Sequence, residues 1–178
     1  MLKRYSVILL LLTLAGCGPN TISRDWHRIE PPVAGPDFTL PLLGGGQLRL
    51  ADERGHVVIM EFWATWCGPC RFSLPSLDVI YKQYRSRGVT VLLVNAGEPE
   101  DAVRKWAGRR FTSPILLDLQ QEVGGRYHVE GIPRLFVLDQ DGRIVYTHAG
   151  YGGGLEWNLK LILSELLGEG SSQQKTHG

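Results

Sequence analysis

The feature that most constrains this chain is an apolar run that leads almost directly into a pair of cysteines. Residues 57–63 are six apolar residues and one glutamate. That composition is typical of a strand buried on both faces of a sheet. Cys67 and Cys70 follow it, and apolar residues after them recur at helical spacing. The sequence therefore predicts a buried strand, a short loop and a helix that opens with two thiols.

The wider pattern predicts an α/β fold. Strand-like and helix-like segments alternate, which favours a sandwich with buried parallel strands at its centre. The sequence Asp139-Gln140-Asp141-Gly142 is a strong hairpin signal and would add antiparallel strands at one side. The predicted strands cover 38–43, 47–50, 57–63, 89–95, 115–117, 135–138 and 143–146, and the predicted helices cover 70–87, 99–107, 120–127 and 155–166.

The N-terminus has the pattern of a bacterial secretory signal. Lys3 and Arg4 precede a mostly apolar stretch of 12 residues, whereas a membrane-spanning helix needs about 20. The sequence Leu14-Ala15-Gly16-Cys17 resembles the lipobox, in which the cysteine is lipidated. We therefore expect cleavage before Cys17 and acyl chains on that residue. The alternative is an ordinary signal peptide that a cysteine happens to follow.

Composition divides the rest of the chain. Four prolines and little apolar periodicity before Asp37 indicate a tether, and the small polar C-terminus indicates disorder. The formal net charge is +1 with no basic run, so nucleic acid is not an expected partner. The predicted divisions are a signal peptide at 1–16, a lipidated tether at 17–36, a folded domain at 37–168 and a disordered tail at 169–178.

The cysteine pair is suited to thiol exchange. A helix N-terminus carries partial positive charge, which lowers the pKa of a cysteine such as Cys67. Cys70 lies one helical turn on and can form a disulfide with Cys67. Pro69 fits the first turn, and Gly68 leaves the sulfur accessible. Cys67 is thus expected to attack a client disulfide, and Cys70 to resolve the mixed disulfide.

The two other uses of such a pair are a structural zinc site and a structural disulfide. A structural zinc site needs two more ligands, but the sequence has no second cysteine pair, and His56, His128 and His148 are scattered. We interpret these histidines as surface or strand residues. A purely structural disulfide would close only a two-residue loop and stabilise little. No metal and no cofactor is therefore expected.

The motif Trp66-Cys67-Gly68-Pro69-Cys70 is similar to the thioredoxin active site, and Pro75 follows at the family's spacing. The signal, the early hairpin and residues 98–150 resemble the TlpA/ResA branch, which comprises membrane-tethered, extracytoplasmic thiol-disulfide oxidoreductases. The resemblance covers about 37–167. It implies a thioredoxin fold, with a central mixed β-sheet flanked by helices and an N-terminal β-hairpin extension.

The resemblance implies roles for further residues. Glu61 matches a buried carboxylate under the active site, where burial would raise its pKa and let it accept the Cys70 proton; the alternative is that it reaches solvent. Ile132-Pro133 resembles the cis-proline loop, where the backbone of Ile132 would pair with an extended client; the alternative is an ordinary trans turn. Trp66 is expected to shape the client groove.

Three further positions bear on the core, the helix and the client preference. Trp63 is expected in the core, and Pro75 is expected to kink the helix. Many TlpA/ResA-like sequences have a glutamate three residues after the second cysteine, where this chain has Ser73. An acid that would tune the pair or recognise clients is thus missing, which argues against a specific role in cytochrome c maturation.

The leading functional hypothesis is an extracytoplasmic disulfide reductase. Its Cys-Gly-Pro-Cys motif resembles that of reducing thioredoxin, at about −270 mV, rather than that of oxidants near roughly −120 mV. The expected partners are client proteins with disulfides, an inner-membrane thiol-reducing conduit and the membrane, with the chain itself a monomer. Because Gly18 rather than Asp follows Cys17, a Gram-negative cell would direct it to the outer membrane.

The sequence leaves three alternatives to the reductase function. The first is a periplasmic thiol oxidase or isomerase. The second is a peroxiredoxin-like peroxidase, although that motif places Thr three residues before the reactive cysteine and Thr65 is two before Cys67. The third is a copper-binding module, although Sco-like proteins have three residues between the cysteines.

Overall fold

The computed structural model of the protein describes residues 21–169. Eight strands and four helices lie in this range, and two 3-10 turns cover Leu50–Glu53 and Arg85–Arg87. The strands are β1 Trp26–Ala34, β2 Thr39–Pro41, β3 Gln47–Arg49, β4 Val57–Trp63, β5 Val89–Ala96, β6 Ile115–Asp118, β7 Arg134–Leu138 and β8 Arg143–Ala149, and the helices are α1 Cys70–Tyr84, α2 Glu100–Ala107, α3 Glu122–Arg126 and α4 Leu155–Leu166.

Six strands form one mixed sheet in the order β1-β8-β7-β4-β5-β6. Strands β4, β5 and β6 are parallel, while β7, β8 and β1 add antiparallel pairs on the other side. All seven residues of β4 are buried, as a central strand covered on both faces requires. The predicted thioredoxin fold, with a mixed sheet between helices, is confirmed.

Alternation along β4 divides the core into two apolar layers. Ile59 and Trp63 face a cluster built with α1, α2 and α4, whereas Met60 and Phe62 face a cluster built with α3 and the first hairpin. Glu61 shares the first face because side chains two apart along a strand point the same way. A carboxyl group is therefore placed inside an apolar layer beneath α1.

The predicted early hairpin forms strands β2 and β3, which pair outside the main sheet. The backbone N–H of Leu43 donates to the carbonyl oxygen of Ile115 at 2.8 Å and so ties the hairpin to β6. Helix α1 ends at Tyr84, and the predicted helix to 87 is completed by a 3-10 turn. Gly88 follows with a φ of 79°, the left-handed conformation that ends helices.

The predicted tether at 17–36 is wrong for its second half, because residues 26–34 form the edge strand β1. Trp26 is buried and stacks on His148 with ring centroids 4.9 Å apart. Arg28 reaches α4, where its Nη2 lies 2.6 Å from Oε1 of Glu165. Proline is tolerated at a sheet edge, so Pro31 and Pro32 do not exclude a strand.

Strand β1 begins at the end of the sheet where β4 ends. Trp26 pairs with His148, whose neighbour Ala149 pairs with Arg134, and Arg134 pairs with Phe62 near the end of β4. Residues 21–25, which precede β1, therefore lie at the same end of the molecule as the two cysteines.

The predicted signal peptide at 1–16, the predicted lipidation at Cys17 and residues 170–178 of the predicted tail lie outside the described residues. None of the described helices has both the length and the apolar composition needed to cross a bilayer.

Candidate active site

The loop after β4 places the two cysteines at the start of α1. The N–H of Cys67 donates to the carbonyl oxygen of Ala64 at 3.1 Å, which turns the chain. Cys70 is the first residue of α1, directly after Pro69. The two sulfurs are bonded at 2.02 Å, with Cα atoms 5.3 Å apart. Cys67 is 4% exposed and Cys70 fully buried, so Cys67 is the one that presents some surface to solvent.

Thr65, two residues before Cys67, is held by a polar clamp that Asn95, Glu98 and Arg71 form. The N–H of Thr65 donates to Oε2 of Glu98 at 2.7 Å, and the Thr65 hydroxyl donates to Oε1 of the same carboxylate. Asn95 donates to that carboxylate at 2.7 Å. From the other side, Nη2 of Arg71 donates to the Thr65 carbonyl oxygen at 3.0 Å. Both backbone polar groups of Thr65 are thus fixed.

Sequence reasoning missed Asn95 and Glu98 as parts of the site. Asn95 lies near the end of β5, beside Trp63 at the end of β4, and Glu98 follows three residues later. Both residues lie at or just after the carboxyl end of a parallel strand, and polar residues at that position are the sequence signal that could have identified them.

Glu61 is 1% exposed and lies inside the apolar layer beneath α1. Burial raises the pKa of this carboxyl to about 8, and a hydrogen bond from Ser73 acts in the opposite direction. The expectation of a buried carboxyl is confirmed, and the alternative in which Glu61 reaches solvent is wrong. The catalytic role of Glu61 stays a prediction.

Ser73 occupies the position where a glutamate was expected from the resemblance. Its hydroxyl donates to Oε1 of Glu61 at 2.6 Å and lies 3.2 Å from the carbonyl oxygen of Cys70. Sequence reasoning treated Ser73 only as a missing acid. The structure shows that it contacts the carboxyl of the neighbouring strand.

The loop before β7 packs beside the cysteine loop. The Ile132–Pro133 bond is cis, as predicted, and the carbonyl oxygen of Pro133 accepts from the N–H of Gly150 at 2.9 Å. Ile132 contacts both apolar layers. It also lines a cleft of about 630 Å³, together with Trp66 and Glu98. The cleft joins the two loops that the resemblance assigned to client binding.

Exposed aromatic side chains lie close to both cysteines along the chain. Trp66 is 70% exposed and Phe72 is 64% exposed, and the Phe72 ring stacks on Tyr151 with centroids 5.7 Å apart. Trp63, by contrast, is buried in the core, as expected. Pro75 lies inside α1, which continues through it. Apolar surface is thus available on both flanks of the cysteine pair.

The three histidines considered as zinc ligands do not meet. His148 is buried in β8 against Trp26, with Nδ1 3.1 Å from the carbonyl oxygen of Asp25. His56 lies beside Glu53, and His128 lines a separate depression next to Pro133. Within residues 21–169 no group of three His, Cys, Asp or Glu side chains is arranged to hold a metal ion.

Comparisons with known proteins agree with this geometry. The family model described as Redoxin matches residues 32–156. "Thiol-disulfide oxidoreductase ResA" of Geobacillus kaustophilus is 37% identical over 149 residues, which cover 81% of this chain and 84% of that protein. "Thioredoxin-like protein YneN" of Bacillus subtilis is 35% identical over 170 residues, which cover 92% of this chain and 99% of that protein.

Among solved structures, the pneumococcal exposed lipoprotein thioredoxin Etrx1 from Streptococcus pneumoniae superimposes with a TM-score of 0.66. It is 31% identical in sequence, and the match covers 74% of this chain and 100% of the Etrx1 chain.

Proposed function

We propose, since this chain belongs to the Redoxin family and is a thioredoxin-like thiol-disulfide oxidoreductase, that it reduces disulfide bonds of client proteins outside the cytoplasm. The observation that carries the proposal is the Cys67–Cys70 pair, which opens α1 above the buried carboxyl of Glu61. An accessible cysteine, a buried cysteine and a nearby group with a pKa near neutrality are the parts that stepwise exchange needs.

The first step joins the enzyme to its client. The thiolate of Cys67 attacks one sulfur of the client disulfide, a bond forms between Cys67 and that sulfur, and the client disulfide breaks. The other client sulfur leaves as a thiolate and takes a proton from water. Partial positive charge at the start of α1 favours the Cys67 thiolate.

The second step releases the client. Glu61 accepts the proton of the Cys70 thiol, and the Cys70 sulfur attacks Cys67. The bond between Cys67 and the client breaks as the Cys67–Cys70 disulfide forms, and the client sulfur leaves as a second thiolate that is then protonated. Two electrons have passed from the dithiol to the client. The product is the disulfide state described above.

The surroundings of the disulfide suit a protein substrate. The backbone of Ile132 beside Pro133 would pair with an extended client segment, and Trp66 would contact its side chains from the other side of the cleft. Gly68 and Pro69 complete the exchange motif between the cysteines. These roles follow from the resemblance and from the position of the cleft.

The direction of exchange is part of the proposal. The Cys-Gly-Pro-Cys motif resembles that of reducing thioredoxin, which has a potential of about −270 mV. An oxidising compartment would keep Cys67 and Cys70 bonded, so a membrane thiol-reducing conduit is the electron donor we propose. The alternative is a thiol oxidase or isomerase, which a measured potential above about −150 mV would favour.

We also propose attachment to a bacterial membrane through lipid on Cys17, with Gly18 favouring the outer membrane in a Gram-negative cell. The lipobox-like sequence supports it, as does the lipoprotein among the similar structures. Multiple acyl chains are enough for stable anchoring.

Trapping tests the exchange mechanism. The Cys70→Ala variant has no resolving thiol, so Cys67 should stay bonded to its clients in adducts that a reducing agent releases. The Cys67→Ala variant is the matched control and should form far fewer adducts because Cys70 is fully buried. Equal capture by both variants, or none by Cys70→Ala, would contradict the mechanism.

A further inference from the structure

Ser73 and Glu61 form a buried polar pair beneath the disulfide. The Ser73 hydroxyl lies 2.6 Å from Oε1 of Glu61, and both residues are 1% exposed. Ser73 lies one helical turn after Cys70 and contacts its carbonyl oxygen at 3.2 Å. The pair is therefore connected to the backbone of the resolving cysteine.

We propose that Ser73 is a positioning residue for the exchange reaction, whose hydroxyl pairs with the Glu61 carboxyl in both the ionised and the protonated state. The inference rests on the proposed role of Glu61 as proton acceptor. It assigns a function to Ser73, the position at which the family resemblance pointed only to a missing glutamate.

The single hydroxyl proton has two acceptors within reach. When Glu61 is ionised, the hydroxyl of Ser73 donates to the carboxylate, the arrangement at 2.6 Å. When Glu61 has taken up a proton, the carboxyl can donate to Ser73 Oγ, and the serine hydroxyl turns to the Cys70 carbonyl oxygen. Neither state leaves a buried donor without an acceptor, which would be costly.

The Glu61 carboxylate depends on Ser73 because its other neighbours are apolar or are paired with other groups. On either side of Glu61 in the sheet lie Leu93 of β5 and Leu135 of β7. Beyond Leu135 on the same face is His148, which pairs with Asp25 rather than with Glu61. The pKa of Glu61 responds to burial and to Ser73, and no charged neighbour contributes.

The charged groups of α1 are engaged elsewhere. Arg71 donates to the Thr65 carbonyl oxygen, and Asp78 is paired with Lys82 and the loop before β6. Cys70 is the remaining titratable group of the helix near Ser73, and its proton is the one to be transferred. Ser73 is thus the neighbour able to stabilise the Glu61 carboxylate.

The experiment measures the second exchange step against pH. Reduced protein is mixed with the aromatic disulfide dithiobis(nitrobenzoate), which releases one coloured thiolate when Cys67 attacks and a second when Cys70 resolves. With the pKa of Glu61 at about 8, roughly one tenth of the carboxyl is ionised at pH 7. The rate of the second release should therefore rise with pH through that value.

Ser73→Ala removes one hydrogen bond to a charged group, which corresponds to a pKa shift of about one unit or more. We expect its pH profile to move up by about one unit, with a roughly tenfold slower second release at pH 7. Above both midpoints the two rates should converge. Ser73→Thr keeps a hydroxyl and should keep the wild-type midpoint.

Glu61→Gln provides the reference that separates the two claims. In this background the rise that follows ionisation of Glu61 should be absent, because Cys70 then loses its proton only to water or hydroxide, and adding Ser73→Ala should change nothing further. A rise with the wild-type midpoint that survives in Glu61→Gln overturns the proton-acceptor role and this inference with it. An unshifted Ser73→Ala midpoint, or a loss of rate that is equal at all pH values, overturns the inference and leaves the role of Glu61 standing.

Discussion

Glu61 is a carboxyl held in an apolar layer, and its protonation must therefore influence folding as well as exchange. Burial raises the pKa of this group from 4.5 to about 8 in the folded protein. Between these two values the folded state binds a proton that the unfolded state has released. The free energy of unfolding must then fall as pH rises through this window.

The fall of the free energy of unfolding with rising pH should depend on the single residue Glu61. Glu61 should lower the free energy of unfolding by about 3 kcal/mol between pH 5 and pH 8, and Glu61→Gln should remove that decrease. Urea unfolding at several pH values measures it. Exposed Glu130→Gln is the matched control and should keep the wild-type dependence. A Glu61→Gln protein with the wild-type dependence would show that the carboxyl is not desolvated.

The burial of Glu61 could be predicted from the sequence, whereas its contact with Ser73 could not. Apolar residues on both sides of Glu61 predict its burial, because a central strand has no exposed face. The contact with Ser73 could not be predicted, since the turn of α1 that lies over β4 depends on how the helix crosses the sheet. Spacing within one element does not specify a contact between two elements.

At the scale of elements, α1 is joined to the loop before β6 through one carboxylate. Oδ1 of Asp78 accepts from the backbone N–H groups of Thr112 and Ser113 at 2.7 and 2.8 Å, and its Oδ2 lies 2.7 Å from Lys82. Burial alone would raise the pKa of Asp78, but these hydrogen bonds lower it to about 2. Its stabilisation is present above about pH 4 and is lost toward pH 2.

Removal of this carboxylate should weaken the fold more than removal of its ion-pair partner. Asp78→Ala leaves two backbone donors without their acceptor, and we expect a loss of about 3 kcal/mol in the free energy of unfolding. Lys82→Ala removes a half-exposed partner and should cost less than about 1 kcal/mol. Urea titration of both variants at pH 7 compares them, and equal losses would contradict the assignment.

Strand β1 shows where sequence patterns fail for an element. A central strand such as β4 is recognisable because all its residues are apolar, whereas an edge strand buries few. In β1 the buried residue is Trp26, and the pairing with β8 shifts register between Arg28 and Val33. Together with two prolines, this leaves no alternation for a periodicity argument to detect.

At the scale of the whole molecule, β1 covers the edge of the sheet that β8 would otherwise expose. We predict that a chain starting at Asp37, the sequence-based boundary, is less stable than one starting at Thr21 by at least about 3 kcal/mol. It loses the burial of Trp26 and leaves an unpaired strand edge. Urea unfolding and light scattering measure both effects. Two chains of equal stability would restore the original boundary.

The direction in which β1 enters the sheet also limits where a lipidated form can work. If Cys17 carries acyl chains, three residues separate it from Thr21, and the four residue-to-residue steps between them reach at most about 14 Å, instead of the roughly 60 Å that a free segment of 19 residues would allow. Because β1 starts at the cysteine end of the sheet, the disulfide would face the bilayer at close range. Such a molecule is oriented toward partners embedded in, or lying flat on, the same lipid surface, so it meets the proposed conduit directly only where both occupy one membrane.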